Sequence, residues 1–268
     1  MPRQIIRTFG LDRDTIAFAQ RVKAGSGTTI LPNNLIQLNK FVVGIKRMGL
    51  WNQMVCWPMR STQNAGRGST VYSLGGLGTF NGTMLNGPTW GANGMFFSSA
   101  LFQTVNPNIS LTQIGNNFGL FTCADFSQLN GLNAVMSNRD IFNTGTPAGI
   151  AIGSTTTGSM RINIGTGTTN FTQTFTPPTG YECHSALSNG SNTTQNRNST
   201  QIANNAPILN GPLPELLNGP IGIGSQTNNL NFFNGRIAFA STFFGVVNNT
   251  LLYTLYRQTL GQNLGLPV

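Results

Sequence analysis

The sequence predicts a mainly β protein, a β-sandwich or jelly roll with short helices at its two ends. From residue 50 onward, short apolar runs are separated by clusters of Gly, Asn, Pro or Ser, as in all-β proteins with many short strands. Two of these runs, 159–164 and 170–175, alternate between apolar and polar side chains, which is the pattern of a half-buried strand. The hydrophobic share of 39%, with 18 Phe, is sufficient for a large core, whereas charged residues make up only 8%.

Two helices are predicted before the β region. Asp12 or Asp14 can cap the first helix, and Gly25 is expected to end it. Pro32 suits the first position of the second helix, which has apolar residues at spacings of three and four and is expected to end at Gly49. Because two short helices bury little surface by themselves, we expect them to pack on the following domain or on a partner.

The predicted strands follow in chain order, and a last helix closes the chain. The Asn-, Ser- and Thr-rich segment 188–205 is predicted to be a surface loop or a pair of loops, a natural place for contacts. The closing helix is expected at 250–259, before Gly261. Its apolar face is predicted to consist of Leu251, Leu252, Leu255 and Tyr256. The strands are expected at 70–74, 95–97, 118–126, 134–136, 149–152, 160–164, 170–175 and 221–224.

Positive charge is concentrated at the start of the chain. The net charge is +9, and ten of the 15 Lys and Arg residues precede residue 68. Such asymmetry predicts contact with an acidic partner, either nucleic acid or a protein face, unless the basic residues form a solvated helical face. The chain thus divides into a basic helical anchor, residues 1–50, and a β domain, residues 51–268. The residues predicted to dock the anchor are Arg3, Arg7, Arg13, Arg21, Lys23, Lys40, Lys46 and Arg47.

Groups that transfer protons are scarce, so we predict that the protein is not an enzyme. One His and six Asp or Glu residues occur in the chain, whereas glycoside hydrolysis needs paired carboxyls and a triad needs an oriented His. His184 lies beside Glu182, Cys183 and Ser185. Because neighbours on a strand point to opposite faces, these groups are predicted not to converge on one site. We therefore predict a structural role for His184. The glycine-rich segment 73–78 lacks the Gly-Lys-Ser/Thr of a phosphate-binding loop and is predicted to be a turn.

Cofactors and metals are not expected either. Asp125 and Asp140 are the only aspartates in the middle of the β domain, so a calcium site would depend on carbonyl and Asn oxygens. Three widely spaced cysteines, Cys56, Cys123 and Cys183, favour a reducing compartment over a disulfide framework. A signal peptide and an apolar run of membrane-spanning length are not apparent, so no membrane contact is expected.

Three segments of the β domain carry a family pattern. The sequence FFNGRIAFA at 232–240 contains an N/D-G-x-I/L-A motif, an apolar helix is predicted after it at 251–261, and LSNGS at 187–191 contains an Asn-Gly pair. In this order they resemble the last core strand, closing helix and hairpin strand of concanavalin A-like (laminin-G-like) jelly rolls. The resemblance implies a concanavalin A-like jelly-roll β-sandwich with a small α-helical N-terminal segment and a short C-terminal helix.

A second resemblance concerns the N-terminal region. The segment LNKFVVGIKRMGLWNQM at 38–54 looks like the helix-to-GLW stretch that precedes this jelly roll in many tailed-bacteriophage structural proteins. Together the two resemblances cover most of the chain and imply a virion component with a binding domain. The acidic run E-x-D-x-x-E that glycosidases with this sandwich carry is absent from the sequence, so the chain departs from the catalytic branch of that family.

These observations predict a non-enzymatic phage structural protein, a capsid decoration, head appendage or tail component such as a tail fibre. It is expected in the virion, assembled in the host cytoplasm, with other virion proteins and copies of itself as partners and without nucleic acid contact. Its jelly roll is predicted to touch host glycans. The residues predicted to face such a glycan are Trp90, Asn192, Asn196 and Asn198.

Two other functions remain open from the sequence. The chain could be a stand-alone carbohydrate-binding module, lectin-like and monomeric. Alternatively, it could be a self-assembling jelly-roll coat protein whose basic arm lies inside the shell and binds nucleic acid in a salt-sensitive way. A hydrolase is the least favoured class.

Overall fold

The computed structural model of the chain describes residues 10–109, 117–128, 133–138, 149–154, 160–165, 170–176, 179–189, 192–205, 220–225 and 231–268. Within these ranges, three α-helices and fifteen strands follow in the order α1, α2, β1 to β15, α3. The helices are α1 (Arg13–Ser26), α2 (Pro32–Arg47) and α3 (Asn249–Gln258). The strands are β1 (Met54–Pro58), β2 (Thr70–Val71), β3 (Gly82–Leu85), β4 (Met95–Phe97), β5 (Thr104–Asn106), β6 (Asn117–Asp125), β7 (Asn133–Ser137), β8 (Gly149–Ser154), β9 (Met160–Gly165), β10 (Asn170–Phe175), β11 (Tyr181–Asn189), β12 (Thr193–Arg197), β13 (Thr200–Asn205), β14 (Gly222–Ile223) and β15 (Gly235–Phe243).

The strands form two antiparallel sheets that pack face to face. Sheet A has the order β1-β15-β6-β11-β12-β13, with β4 also paired to β15. Sheet B has the order β10-β9-β8-β7-β14-β5-β3-β2. This arrangement confirms the predicted fold class, a mainly β sandwich with helices at the N-terminal side and one short helix near the C-terminal end.

Strand β6 shows how sheet A is buried on both faces. Phe118, Leu120 and Ala124 belong to the core between the sheets, whereas Phe121 and Cys123 belong to the core between sheet A and the helices. The alternation follows from the two-residue period of a strand. Because both faces are covered, β6 reads as a nearly continuous apolar run in the sequence.

All three helices contribute to the second core, on the outer face of sheet A. The ring of Phe41 from α2 meets Phe239 from β15 edge to face, with a centroid distance of 5.5 Å. Tyr256 from α3 meets Phe121 in the same manner at 5.7 Å. Of the two alternatives predicted for the N-terminal helices, packing on the following domain is the one observed.

The boundaries of α1 and α2 follow from their caps. Asp12 caps α1 through its carboxylate, which accepts a hydrogen bond of 2.9 Å from the amide of Asp14. The prediction that Gly25 ends this helix is wrong, because Gly27 is the residue that adopts the left-handed conformation (φ +72°) of a C-terminal cap. Pro32 begins α2 as predicted.

Helix α3 presents a different face to the sheet than the sequence suggested. Leu252, Tyr253 and Tyr256 are buried, as is Asn249 at the first position. Leu251, which was predicted to lie on the apolar face, is 55% exposed. Leu252 is fully buried as predicted, and Tyr253, which the predicted face did not include, is only 2% exposed. Asn248 caps the helix, since its side chain accepts from the amide of Leu251 at 3.1 Å.

The segment 188–205 is not a loop, as its composition had suggested, but contains the hairpin of β12 and β13 at the edge of sheet A. Its threonines favour a strand because they are β-branched, and Asn198 adopts the left-handed conformation (φ +55°) that the turn requires. The turn is tied to β11 by two hydrogen bonds between Asn198 and the backbone of Cys183, of 2.7 and 3.0 Å.

None of the helices in the described part of the chain has both the length and the hydrophobicity that a membrane-spanning helix needs.

Candidate functional site

A cleft of about 260 Å³ opens at one end of sheet A, where the end of β11, the β12–β13 hairpin and the start of α3 meet. We refer to it as the polar cleft, because most of its lining is amide and hydroxyl side chains and none of the described lining residues is charged. The polar residues that line it are Ser188, Asn189, Asn192, Thr194, Asn196, Ser199, Gln201, Asn248, Asn249 and Thr250.

A chain of buried side-chain hydrogen bonds fixes the floor of the polar cleft. Asn196 on β12 donates through Nδ2 to the hydroxyl of Ser185 at 2.9 Å. Ser185 on β11 donates in turn to Oδ1 of Asn249 at 2.8 Å. Asn249 completes the chain by donating to the carbonyl of Asn198 at 2.8 Å. Because such buried polar groups are satisfied by one another, the network holds β11, β12 and α3 in one arrangement.

The rim of the polar cleft carries side-chain amide groups that have no hydrogen-bond partner within the described residues. Within the described residues, the side chains of Asn192 and Gln201 make no hydrogen bond to the protein, and Gln201 is exposed. The amide of Asn192 itself is held by Oδ1 of Asn189 at 2.6 Å. Val246, 62% exposed, adds an apolar contact at the same rim. Neutral donors and acceptors beside an apolar patch match the hydroxyl groups and C–H faces of a saccharide.

The predicted glycan-facing residues do not all lie at this cleft. Asn192 and Asn196 line it, but Asn196 belongs to the buried floor rather than to the rim. Asn198 lies in the adjacent turn and is committed to the backbone of Cys183. Trp90 lies near the start of β15, at the opposite end of sheet A, half-buried and donating to the carbonyl of Gly68 at 3.2 Å. The structure therefore does not bring Trp90 together with the asparagines.

Sequence reasoning missed the part of the cleft that comes from the C-terminal end of the chain. Val246, Asn248 and Asn249 follow β15 and begin α3, more than forty residues from the hairpin. Asn248 had a readable signal, since Asn is a preferred residue at a helix N-cap. No pattern in the sequence predicts that Asn248 lies near Asn192, because the strand order alone brings them together.

A buried ionic cluster lies behind the hairpin. Arg197 on β12 donates to both oxygens of Glu182 at 2.7 Å, and Nε2 of His184 lies 3.1 Å from the same carboxylate. The ring of His184 is fully buried and stacks on Phe126. The prediction that the groups around His184 do not converge is wrong for Glu182, because residues two apart on a strand share a face.

The pKa values of His184 and Glu182 in this cluster are both lowered. Burial lowers the pKa of His184 from its usual value, and the nearby Glu182 only partly opposes this effect. Burial alone would raise the pKa of Glu182, but hydrogen bonds from His184 and Arg197 lower it. At neutral pH the cluster is thus a carboxylate between a guanidinium and an uncharged imidazole, a structural arrangement.

A second and larger cleft, of about 570 Å³, lies where α1 and the end of α2 meet the glycine-rich segment 73–78 and the following Thr79. We refer to it as the basic cleft. Three of the predicted docking residues, Arg13, Arg21 and Lys46, line it together with Asp14 and Trp51.

The other predicted docking residues are spread out. Lys23, Lys40 and Arg47 are exposed on α1 and α2 and do not line the basic cleft. Arg3 and Arg7 lie outside the described residues. The eight basic residues therefore do not form one site.

Metal-binding groups do not cluster in the described ranges of the chain, where no set of three His, Cys, Asp or Glu side chains comes together. Asp125 accepts a hydrogen bond of 3.0 Å from the amide of Ser127. Asp140, the other aspartate considered for calcium, lies outside the described residues.

Comparisons with known proteins connect the chain to others by fold alone. No protein-family model matches the chain, and no curated protein sequence matches it. A mutant of Trypanosoma rangeli sialidase displaying trans-sialidase activity is similar in structure, with a TM-score of 0.53 and 10% identity, over 85% of this chain and 40% of that chain. At such low identity, the similarity shows a shared fold and no shared activity.

Two further structures have TM-scores below 0.5 and add no argument. The Ruminococcus gnavus IT-sialidase CBM40 bound to α2,3 sialyllactose has a TM-score of 0.42 and 11% identity, over 65% of this chain and 95% of that chain. The NanB sialidase from Streptococcus pneumoniae also has a TM-score of 0.42 and 11% identity, over 55% of this chain and 26% of that chain. The chain thus spans about a quarter of the NanB sialidase.

Proposed function

We propose that the protein is a glycan-binding β-sandwich module and that the polar cleft is its binding site. The observation that carries the proposal is the uncharged lining of that cleft, in which Asn192 and Gln201 offer unused amide groups beside the exposed Val246. A neutral saccharide presents hydroxyl groups that both donate and accept, and an amide side chain can satisfy both. The sialidase of T. rangeli, which has a similar fold, acts on a glycan by its name, which agrees with the proposal.

The role we propose is binding without catalysis. The described lining of the polar cleft contains no carboxylate, no imidazole and no tyrosine. Glycoside hydrolysis uses a pair of carboxyl groups or, in sialidases, a tyrosine nucleophile. The fixed floor formed by Asn196, Ser185 and Asn249 favours binding because a preorganised site loses little conformational entropy on contact.

A glycan array followed by titration of retained neutral glycans tests this proposal. We expect Asn192→Ala and Gln201→Ala each to weaken binding about three- to tenfold, the cost of losing one hydrogen bond. Asn33→Ala, an exposed asparagine on α2, is the matched control and should bind as the unchanged protein does. Binding that neither cleft substitution weakens, or an array on which no glycan is retained, would contradict the proposal.

We propose in addition that the module belongs to a virion, as a capsid decoration, head appendage or tail component. What supports this second proposal is the set of exposed cations on the two helices that cover sheet A, including Arg13, Lys23, Lys40 and Arg47. Such a surface suits docking on the acidic face of a neighbouring virion protein. The glycan-binding proposal does not depend on it.

A further inference from the structure

We propose that the basic cleft has a separate function and binds a small organic molecule through an oxyanion, either a carboxylate or a phosphate group. Its volume of about 570 Å³ exceeds what a single inorganic ion fills, so the group bound there belongs to a larger molecule. This inference is independent of the glycan-binding proposal for the polar cleft, because it rests on different residues.

Arg21 is the first element of the site. Its Nη2 donates to the carbonyl of Ser73 at 3.0 Å, which fixes the guanidinium against the glycine-rich segment. Its Nε is buried and has no hydrogen-bond acceptor among the described residues. Arg21 lines the basic cleft, and the contact with Ser73 orients its guanidinium there. A guanidinium that is already oriented binds carboxylate or phosphate well.

The glycine-rich segment provides backbone donors. It is held in place by hydrogen bonds from the amide of Gly76 to the carbonyl of Trp51 (2.8 Å) and from Leu77 to Met54 (3.2 Å). A Cβ at Gly76 would lie 2.6 Å from Cδ1 of Trp51, so the close approach requires glycine. The amides of Gly75, Gly78 and Thr79 donate no hydrogen bond within the described part of the protein. Gly78 and Thr79 are exposed and adjacent in sequence, and neighbouring backbone amides without an acceptor favour anions.

The charge balance of the cleft selects an anion. Lys46 pairs with Asp12 at 2.7 Å and with Asp14 at 2.6 Å, and it lies 5.1 Å from the centre of the Trp51 ring. The two carboxylates therefore offset Lys46 and one arginine, and the charge of the other arginine remains uncompensated. One excess positive charge in a concave site favours a bound anion over a neutral molecule.

Calorimetric titration of the full chain at low ionic strength, where screening is weakest, tests the inference with three probes. Glucuronate offers a carboxylate, glucose 6-phosphate offers a phosphate, and glucose is the neutral control. We expect at least one anion to bind more tightly than glucose. Arg21→Gln should weaken that binding about tenfold or more, as expected for the loss of a charged hydrogen bond.

Two further variants distinguish a loss of binding from a loss of folding, because both change exposed side chains. Arg13 has a side chain that is 92% exposed, so Arg13→Gln should weaken anion binding without disturbing the fold. Lys23→Gln removes an exposed charge from α1 outside the cleft and should leave binding unchanged. The inference is overturned if neither anion binds more tightly than glucose, or if Lys23→Gln loses as much affinity as the two arginine variants. Neither result bears on glycan binding that depends on Asn192.

Discussion

Glu182 lies between a cation and an imidazole, and its surroundings make the fold sensitive to acid. Arg197 donates a bidentate pair of hydrogen bonds to the carboxylate of Glu182, and His184 is fully buried beside that carboxylate. Both His184 and Glu182 have pKa values below their ordinary values of 6.5 and 4.5. The unfolded chain therefore binds more protons than the folded protein at low pH, so the free energy of unfolding falls as the pH is lowered.

We expect the loss of stability to begin as the pH falls below 6.5, the ordinary pKa of the imidazole, and to continue below 4.5 as the carboxylate contributes. His184 is the only histidine in the chain, so its ring gives a single set of NMR signals and its titration can be read directly. The expected midpoint lies below 6.5. A midpoint above 6.5 would mean that Glu182 outweighs burial, contrary to the prediction. In His184→Gln, the upper part of the pH dependence should disappear.

The N-terminal helices share a hydrophobic core with sheet A, so we expect them to unfold together with it. Phe41 of α2 is fully buried and contacts Phe239 of β15. The apolar stripe of α2 was readable in the sequence because its period is that of a helix. The surface that α2 covers was not readable, because a continuous apolar run such as β6 indicates a strand covered on both faces but does not record which element covers it.

We expect Phe41→Ala to lower the free energy of unfolding by about 3–5 kcal/mol, the usual cost of removing a buried phenyl ring. Ile36→Ala is the matched control, since Ile36 lies on the same helix and is 45% exposed, and it should change stability by no more than about 0.5 kcal/mol. Urea denaturation followed by both fluorescence and circular dichroism measures the two effects. A separate early transition in which only the helices unfold would show that they are not coupled to the sheet.

The whole molecule combines a nearly uncharged sandwich with a strongly basic N-terminal region. Charged residues make up only 8% of the chain, and the net charge is +9. A surface with few charges favours contact between copies, since charged residues are depleted from interface cores. The exposed cations of α1 and α2 remain available to a different, acidic partner.

We expect light scattering on the purified protein to give a discrete oligomer whose mass is the same at low and high salt, because the contact between copies would be uncharged. A monomer would contradict self-association and favour the stand-alone carbohydrate-binding module. Large particles that dissociate in salt would contradict the appendage and favour a self-assembling coat protein, whose contacts with nucleic acid weaken as salt rises.

The sequence by itself determined the sandwich, the three helices and most of their ends, because period, capping residues and turn residues act over a few neighbouring positions. It also placed Asn192 among the candidate glycan residues. Only the tertiary structure decided that Asn192 meets Asn249 in one cleft and that Arg21 meets the glycine-rich segment in another. It likewise separated Trp90 from the asparagines and joined Glu182 to Arg197. The physical reason is the same in each case: strand order and helix packing bring distant residues together, and no local pattern records which ones.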